Sequence, residues 1–238
     1  MTVQTRSQIL NTPTRLTLEV WHPDCWVLET SRQTDVGLLS YGCYSGEDDT
    51  TRSMFTLYAD ETATIDAAVD VIRDSSAVYG IGEMVRDHRG HVPKPGNATR
   101  ELLVDHDGTT QISDEFTDRG FIPAAPVDTR DNTEVWTLVT DESRDRVYSL
   151  LEEVESERDA SITVTSITQG SEDRRKTPLP MNRLSSRQRE IFRLARAKGY
   201  YDHPRAVSAG NLAEDLGIST STFHEHIRKA EAKLLGQH

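Results

Sequence analysis

Residues 208–231 read SAGNLAEDLGISTSTFHEHIRKAE, and this stretch decides how the end of the chain folds. Ser208 is positioned to cap a helix that ends at Gly217, a residue type that permits a left-handed turn. Ala213 is small at the point where this helix must cross the next one closely. The next helix is predicted over 219–235. The spacing and the turn chemistry together predict a helix-turn-helix.

A further helix is predicted just before this pair, in the segment LSSRQREIFRLARAKG (184–199). Ser185 followed three residues later by Gln188 has the pattern of a capping box, and Gly199 supplies the stop at the other end. Each helix has an apolar stripe at helical spacing, which predicts a trihelical domain over 184–238. The stripes are Ile191, Leu194 and Ala195; Leu212, Ala213 and Leu216; and Phe223, Ile227, Ala230 and Leu234.

The face of the last helix opposite its apolar stripe carries polar side chains that suit a DNA major groove. Arg228 can form a bidentate pair with guanine, His224 can donate or accept, and Glu225 can accept from cytosine. Hydroxyls and backbone N–H groups at the start of the helix suit phosphate. The alternative is an ordinary helical hairpin with a solvated polar face. The predicted DNA-binding residues are Ser219, Thr220, Ser221, His224, Glu225, Arg228 and Lys229.

Charge is divided unevenly along the chain. The formal net charge of −12 has the wrong sign for approaching a phosphate backbone. From residue 174 onward, however, 13 Lys and Arg stand against 6 Asp and Glu, a balance of +7, whereas residues 1–173 carry −19. The end that would meet DNA is therefore basic. Abundant carboxylates with only 5 Lys beside 22 Arg are typical of a salt-rich halophilic archaeon, and an acidic mesophilic protein is the alternative.

The C-terminal segment also resembles a known family. The opening LSSRQRE, the connection GYYDHPR, the turn AEDLGIS and the helix STFHEHIRKAE resemble, in that order, the C-terminal domain of the bacterio-opsin activator type of haloarchaeal transcriptional regulator. The resemblance covers about a fifth of the chain. It implies a sequence-specific transcription regulator that binds double-stranded DNA and has no catalytic activity. The N-terminal part is similar to the family's associated domain far more loosely, and no ligand is carried over from that similarity.

The N-terminal part contains an internal repeat, because FTLYADE (55–61) matches WTLVTDE (136–142). Each copy begins as an alternating strand, stops at an Asp that can cap a helix, and is followed by a helical stretch and a further strand. We therefore predict an α+β domain of tandem ferredoxin-like or ACT-like repeats, although a match this short can also arise by chance. The apolar helix faces are Ile65, Ala68, Val69 and Ile72 in the first copy and Val147, Leu150, Leu151 and Val154 in the second.

A polar, charged segment interrupted by Pro178 and Pro180 separates the two parts. It is typical of an interdomain linker. The predicted organisation is an acidic sensor or dimerisation domain over 1–170, a linker over 171–183 and the DNA-binding domain over 184–238.

Three side chains form a candidate metal or redox site. His22 and Cys25 are three residues apart in WHPDCWVLE, and Cys43 lies further along in SYGCYSG. Imidazole and thiolate ligands suit a soft metal such as zinc, and two thiols can form a disulfide. The alternative is that both cysteines are small buried hydrophobic residues.

The remaining patterns exclude several protein classes. No nucleotide-binding glycine loop, nucleophile elbow or zinc-protease motif is present, which disfavours an enzyme fused to a DNA-binding tail. No apolar run is long enough to span a bilayer and no signal-peptide core is present, so a cytoplasmic protein is expected. Salt near 1 M shortens the Debye length to about 3 Å, so a homodimer reading two half-sites is expected to supply the affinity. The N-terminal domain then either senses a signal or recruits the basal transcription machinery without binding any ligand.

Overall fold

The computed structural model describes residues 12–46, 49–84, 96–169, 179 and 181–235. It combines a large antiparallel sheet with helices, followed by three C-terminal helices, and the predicted α+β class with a helical end is confirmed. The strands are β1 (Thr14–Trp21), β2 (Gly37–Ser45), β3 (Thr50–Ala59), β4 (Val78–Glu83), β5 (Ala98–Asp107), β6 (Ile122–Pro123), β7 (Val127–Arg130), β8 (Thr133–Thr140) and β9 (Ser161–Gln169). The α-helices are α1 (Trp26–Gln33), α2 (Thr62–Asp74), α3 (Ser113–Asp118), α4 (Arg144–Arg158), α5 (Ser186–Ala197), α6 (Ala209–Asp215) and α7 (Thr220–Leu235).

Most of the predicted linker lies outside the described residues, which include only residue 179 and 181–183 of it. Met181–Arg183 forms a short 3₁₀-helix immediately before α5.

The strands form one sheet in the order β4-β5-β3-β2-β7-β8-β1-β9, and β6 also pairs with β8. All of the described pairings are antiparallel. The first strand, β1, lies between β8 and β9 near the far end of the chain's sheet-forming part. Conversely, β5 lies between β3 and β4. The first strand of the domain therefore pairs with strands of the second repeat, and β5, the first strand after the first repeat, pairs with β3 and β4 of that first repeat.

The two apolar cores of the sheet-containing part show that β1 and β5 are also exchanged in packing. The first-half core joins α1, α2 and β3 with Leu102 and Val104 of β5, whereas the second-half core joins α3, α4 and β8 with Leu16, Leu18 and Val20 of β1. The repeated segments FTLYADE and WTLVTDE begin on β3 and β8 and extend two residues past these strands, and the predicted apolar faces of α2 and α4 are all buried. A third core is formed by the C-terminal helices alone. The short helices α1 and α3 were not predicted from the sequence.

The prediction that Asp60 and Asp141 cap the repeat helices is wrong. The N-cap position of α2 is Glu61, which makes no side-chain cap bond, and that of α4 is Ser143, whose side chain accepts from the Arg146 backbone N–H. Asp60 instead accepts from the Ser186 backbone N–H at 3.1 and 3.2 Å, so its carboxylate serves the N-terminus of α5. A carboxylate is favourable there because orphan N–H groups and the helix dipole both attract negative charge.

The start of α5 docks on the sheet through four side chains, Asp35, Asp60, Arg130 and Ser186, which we call the docking contact. Besides its backbone bond to Asp60, Ser186 donates its hydroxyl to Asp35 at 3.1 Å and accepts from Arg130. Arg130, which is buried, also donates to the Asp35 carboxylate at 2.9 Å. The helical region and the sheet are therefore joined by charge-assisted hydrogen bonds and not by the chain alone.

A buried arginine packs beside the docking contact. Arg189 lies on α5 with its guanidinium carbon 5.9 Å from the centre of the Tyr58 ring, within cation–π range. Tyr58 in turn donates its hydroxyl to Asp128 on β7 at 2.5 Å. Burial raises the pKa of the Tyr58 hydroxyl, which keeps it protonated and able to donate.

Candidate nucleic-acid interface

Capping fixes where α5 begins. The Ser185 hydroxyl accepts from the Gln188 backbone N–H, and the Gln188 side chain accepts from the Ser185 backbone N–H, each at 3.2 Å. The predicted capping box is thus confirmed, and both partners are buried. Gly199, with φ of +72°, ends the helix in the left-handed region as predicted.

Replacement of Ser185 by alanine is expected to lower the free energy of unfolding by about 1 kcal/mol, because one helical N–H loses its acceptor. Denaturant titration of the full chain at fixed salt measures this. Ser166→Ala, at an exposed position on β9, is the matched control and is expected to change stability far less. Equal stability of the two variants would show that the capping box does not stabilise α5.

The turn between α6 and α7 has the predicted chemistry. Ser208 caps α6 by accepting from the Asn211 backbone N–H at 3.2 Å. Gly217 has φ of +64°, a conformation that costs a residue with a Cβ atom. This conformation lets the Ile218 backbone N–H reach the Ala213 carbonyl at 2.9 Å and directs the chain into α7. Ala213 is buried against the third core, and Ile218 packs against it.

One face of α7 is buried and the opposite face is open. Phe223, Ile227, Ala230 and Leu234 are buried in the third core, as predicted. Six of the predicted DNA-binding residues are exposed and His224 is half-buried, its ring 5.8 Å from that of Phe223. The exposed six are Ser219, Thr220, Ser221, Glu225, Arg228 and Lys229. The structure therefore brings the predicted residues together along one side of a helix, a geometry that fits a major groove.

Three of the predicted residues already have partners within the protein. Ser219 caps α7 by accepting from the Thr222 backbone N–H at 3.1 Å. Glu225 and Lys229 form an ion pair at 2.7 Å one turn apart, and the Lys229 ammonium lowers the pKa of the Glu225 carboxyl. Among the described residues, Arg228 has no ion-pair partner, so its guanidinium is available to a ligand.

A second polar cluster lies inside the N-terminal domain. The ligand atoms of His22, Cys25 and Glu134 all lie within 4.8 Å of one another, and we call these residues the His-Cys-Glu cluster. The Cys25 sulfur and His22 Nε2 are each 3.8 Å from Glu134 Oε1. The other carboxylate oxygen accepts from the Trp136 indole N–H at 2.8 Å. The sequence pattern indicated His22 and Cys25 but not Glu134, because Glu134 lies on β8, more than a hundred residues away along the chain.

Cys43 lies on the wall of the same cavity, whose volume is about 60 Å³, but not within the group of three. His106 also lines the cavity, and its ring nitrogens already contact Ser53 at 2.9 Å and the Asp107 carbonyl at 3.0 Å. Burial raises the pKa of both cysteine thiols, and the Glu134 carboxylate raises that of Cys25 further. Both thiols are free in this structure.

Family models match both parts of the molecule, the sheet-containing N-terminal part and the C-terminal helices. A family model described as HVO_2525_N, N-terminal, matches residues 15–160, more than half of the chain. The chain belongs to this family. A second model, described as HTH DNA binding domain, matches residues 184–236 in this HVO_2525_N family member. The resemblance of the helical region to the bacterio-opsin activator type of regulator is thereby confirmed.

Named relatives are regulators of transcription. The chain is 46% identical over 52 residues to the transcriptional regulator NarO of Haloferax volcanii, which is 22% of this chain and 25% of that one. It is 29% identical over 125 residues to a dimethyl sulfoxide reductase transcriptional activator of Halobacterium salinarum, covering 50% and 54%. It is 38% identical over 55 residues to the bacterioopsin transcriptional activator of Halobacterium salinarum, covering 23% and 8%. The chain thus spans about half of the length of the dimethyl sulfoxide reductase activator and a quarter or less of the length of the other two relatives.

The helix-turn-helix match and the relatives named as regulators or activators of transcription agree with the expectation of a transcription regulator. Within the described residues, no helix has both the length and the apolar character needed to cross a membrane.

Proposed function

We propose that this protein regulates transcription by placing α7 in the major groove of double-stranded DNA. The observation that carries the proposal is the exposed polar face of α7, where Arg228 has no ion-pair partner among the described residues. Arg228 then forms the bidentate pair with guanine, and His224 contacts a neighbouring base edge. Thr220 and Ser221, beside the N-terminus of α7, contact phosphate.

The Glu225–Lys229 ion pair adds a switchable contact to this interface. In free protein the two charges neutralise each other at the surface. On DNA, Lys229 turns to phosphate and Glu225 accepts from cytosine, so each exchanges one exposed partner for another. Exposed helix pairs of this kind are worth only about 0.3 to 0.5 kcal/mol, so the exchange costs little.

We further propose that the protein acts as a homodimer in a salt-rich cytoplasm. Each trihelical region carries too little positive charge to bind tightly where counterion release is weak. Two copies of α7, held by their N-terminal domains and about 34 Å or a multiple of that apart, would read two half-sites of a roughly palindromic operator.

Sedimentation in multimolar salt is expected to give twice the mass of one chain, and footprinting is expected to show two protected half-sites separated by a whole number of helical turns. A monomer that binds its operator with full affinity at working salt would contradict the homodimer. A single protected half-site would then be expected, and α7 as the reading helix would still be tested by variants of Arg228 and His224.

For the N-terminal domain we propose two ferredoxin-like units over 1–170, each of the pattern strand-helix-strand-strand-helix-strand, that have exchanged their first strands. The strand order supports this reading: with the exchange, β4-β5-β3-β2 and β9-β1-β8-β7 follow one and the same pattern. The two cores support it as well, since each contains apolar residues from the first strand of the other unit. The linker over 171–183 and the DNA-binding domain over 184–238 complete the proposed organisation.

The docking contact supports the proposal that the N-terminal domain modulates DNA binding. Ser186 at the start of α5 is held by Asp35, which follows α1, by Asp60, which follows β3, and by Arg130 at the end of β7. Movement of these segments would move α5, on which α7 packs through the third core. A small molecule, a metal or a change of redox state in the N-terminal domain could thus reach α7.

The alternative is that the N-terminal domain only dimerises or recruits the basal transcription machinery. The charge of −19 over residues 1–173 favours this candidate, because such a surface suits a basic protein partner. Equilibrium binding of candidate metals and metabolites to the full chain separates the two: a saturable ligand that changes operator affinity supports sensing, and its absence supports recruitment.

A further inference from the structure

The His-Cys-Glu cluster brings three different metal-ligating groups to one point. His22 follows β1, Cys25 is the N-cap residue of α1, and Glu134 is the second residue of β8. The cluster therefore joins a loop of the first half to a strand of the second. His22 and Glu134 are both buried, with 4% and 6% of their surface exposed.

The buried carboxylate of Glu134 gives the cluster a negative charge that a cation would compensate. Among the described residues, no Lys or Arg forms an ion pair with Glu134, whose neighbours are the His22 imidazole, the Cys25 thiol and the Trp136 indole. A buried carboxylate without a cation is costly, and a bound metal ion would compensate that charge. The Trp136 indole N–H would then be the supporting partner that orients the carboxylate.

We infer that His22, Cys25 and Glu134 bind one thiophilic divalent cation, for which zinc is the best match. Zinc accepts this mixture of nitrogen, sulfur and oxygen ligands at about 2.0 to 2.3 Å, which places the ligand atoms roughly 3.3 to 3.6 Å apart. The two separations from Glu134 Oε1 are 3.8 Å and every separation in the cluster lies within 4.8 Å, so side-chain rotations that draw the three groups together would reach that range. On binding, the Cys25 S–H bond breaks, a sulfur–zinc bond forms and the proton leaves to solvent.

All three residues of the cluster line the small cavity that Cys43 also lines, so a fourth ligand of the zinc would come from this cavity. Three protein ligands with one open position are typical of a site that takes a water molecule or a further ligand. We assign this position to water, because Cys43 lies outside the group of three.

The site has a direct route to the DNA-binding region, an extension that rests on the proposed function. The backbone N–H of Asn132, in the turn between β7 and β8, donates to the Ser31 hydroxyl of α1 at 3.0 Å. A metal that draws Cys25 toward Glu134 tightens α1 against this turn. The same two segments lead into Asp35 and Arg130 of the docking contact. Zinc occupancy is therefore expected to change how α5 is held and to alter operator affinity.

Binding is tested on the full chain, stripped with a chelator and titrated with Co²⁺ as an optical probe and then with Zn²⁺. We expect one equivalent of Co²⁺, a thiolate-to-cobalt charge-transfer band, and displacement by Zn²⁺. Cys25→Ser is expected to abolish the band, whereas the matched control Cys43→Ser retains it. His22→Ala and Glu134→Gln are expected to weaken binding at least 100-fold, and Trp136→Phe about 10-fold.

Two results would overturn the site: a wild-type chain that takes up no Co²⁺, or a band that survives Cys25→Ser and disappears in Cys43→Ser. Far-ultraviolet circular dichroism of each variant keeps the test valid, and Trp136→Phe, which retains all three ligands, provides a second measurement if a ligand variant fails to fold.

The regulatory extension has its own readout. Operator affinity of the wild type with and without Zn²⁺ is expected to differ, and that of Cys25→Ser is expected not to respond. Co²⁺ binding together with an unresponsive operator affinity would reject the regulation and keep the site. Co²⁺ binding with no DNA binding under any condition would instead reject the proposed function.

Discussion

Replacing Arg228 with alanine is expected to weaken operator binding by about 1 to 3 kcal/mol for each half-site, roughly 5- to 150-fold, and to relax the preference for one base pair. The reason is that Arg228 lies exposed on the face of α7 opposite Phe223 and Ile227 and has no ion-pair partner among the described residues. Adding His224→Ala is expected to remove a second base contact. Fluorescence anisotropy with labelled operator and with scrambled DNA, at the same salt, measures both affinity and specificity.

Two matched variants separate base reading from simple charge. Arg228→Lys keeps the charge but loses the planar fork, so it is expected to lose specificity while keeping most of the affinity for scrambled DNA. Lys198→Ala removes an exposed positive charge that pairs with Asp215 on α6, and it is expected to have little effect at high salt. If the double variant of Arg228 and His224 folds normally and occupies the operator as the wild type does, α7 is not the reading helix.

The helical region could be predicted in detail because its determinants are local. The caps at Ser185 and Ser208 each involve partners three residues away, and Gly217 needs only its own backbone freedom. The apolar stripe of α7 likewise follows from helical periodicity alone. No distant residue is needed to specify any of these features.

The sheet could be predicted only in part, because its order depends on distant partners. Periodicity identified β3, β8 and the buried faces of the helices that follow them. Nothing within β1 indicates that it pairs with β8 and β9, since an alternating strand suits any neighbour with an apolar face. Asp60 shows the same limit: it was predicted to cap α2, which follows it in sequence, yet it serves α5.

The candidate metal site could likewise be predicted only where its residues are close together in sequence. The spacing of His22 and Cys25 is a local signal and was found, whereas Glu134 comes from β8 and carries no local sign of its role. An acidic residue in an alternating strand ordinarily faces solvent. The burial of Glu134 at a position flanked by Trp136 is what distinguishes it, and burial of a charge is not visible in a sequence without the fold.

The largest expected loss of stability follows from the packing of β1 in the second-half core. Leu16→Ala is expected to lower the free energy of unfolding by about 2 to 5 kcal/mol, because Leu16 is fully buried in the second-half core. Its register partner on β8 is Leu138, also fully buried. The double variant Leu16→Ala with Leu138→Ala is therefore expected to be non-additive by about 0.5 to 3 kcal/mol.

Leu57 provides the matched control, since it is fully buried in the first-half core, nearer to Leu16 in sequence than Leu138 is. Leu16→Ala with Leu57→Ala is expected to be additive to within about 0.5 kcal/mol. Coupling of Leu16 to Leu57 without coupling to Leu138 would contradict the exchange. Because each half lends a strand to the other, neither half has a complete core alone, and denaturant is expected to unfold the sheet in a single transition by all probes. A signal bound in one half would then be felt in both, and hence at each segment that holds Ser186.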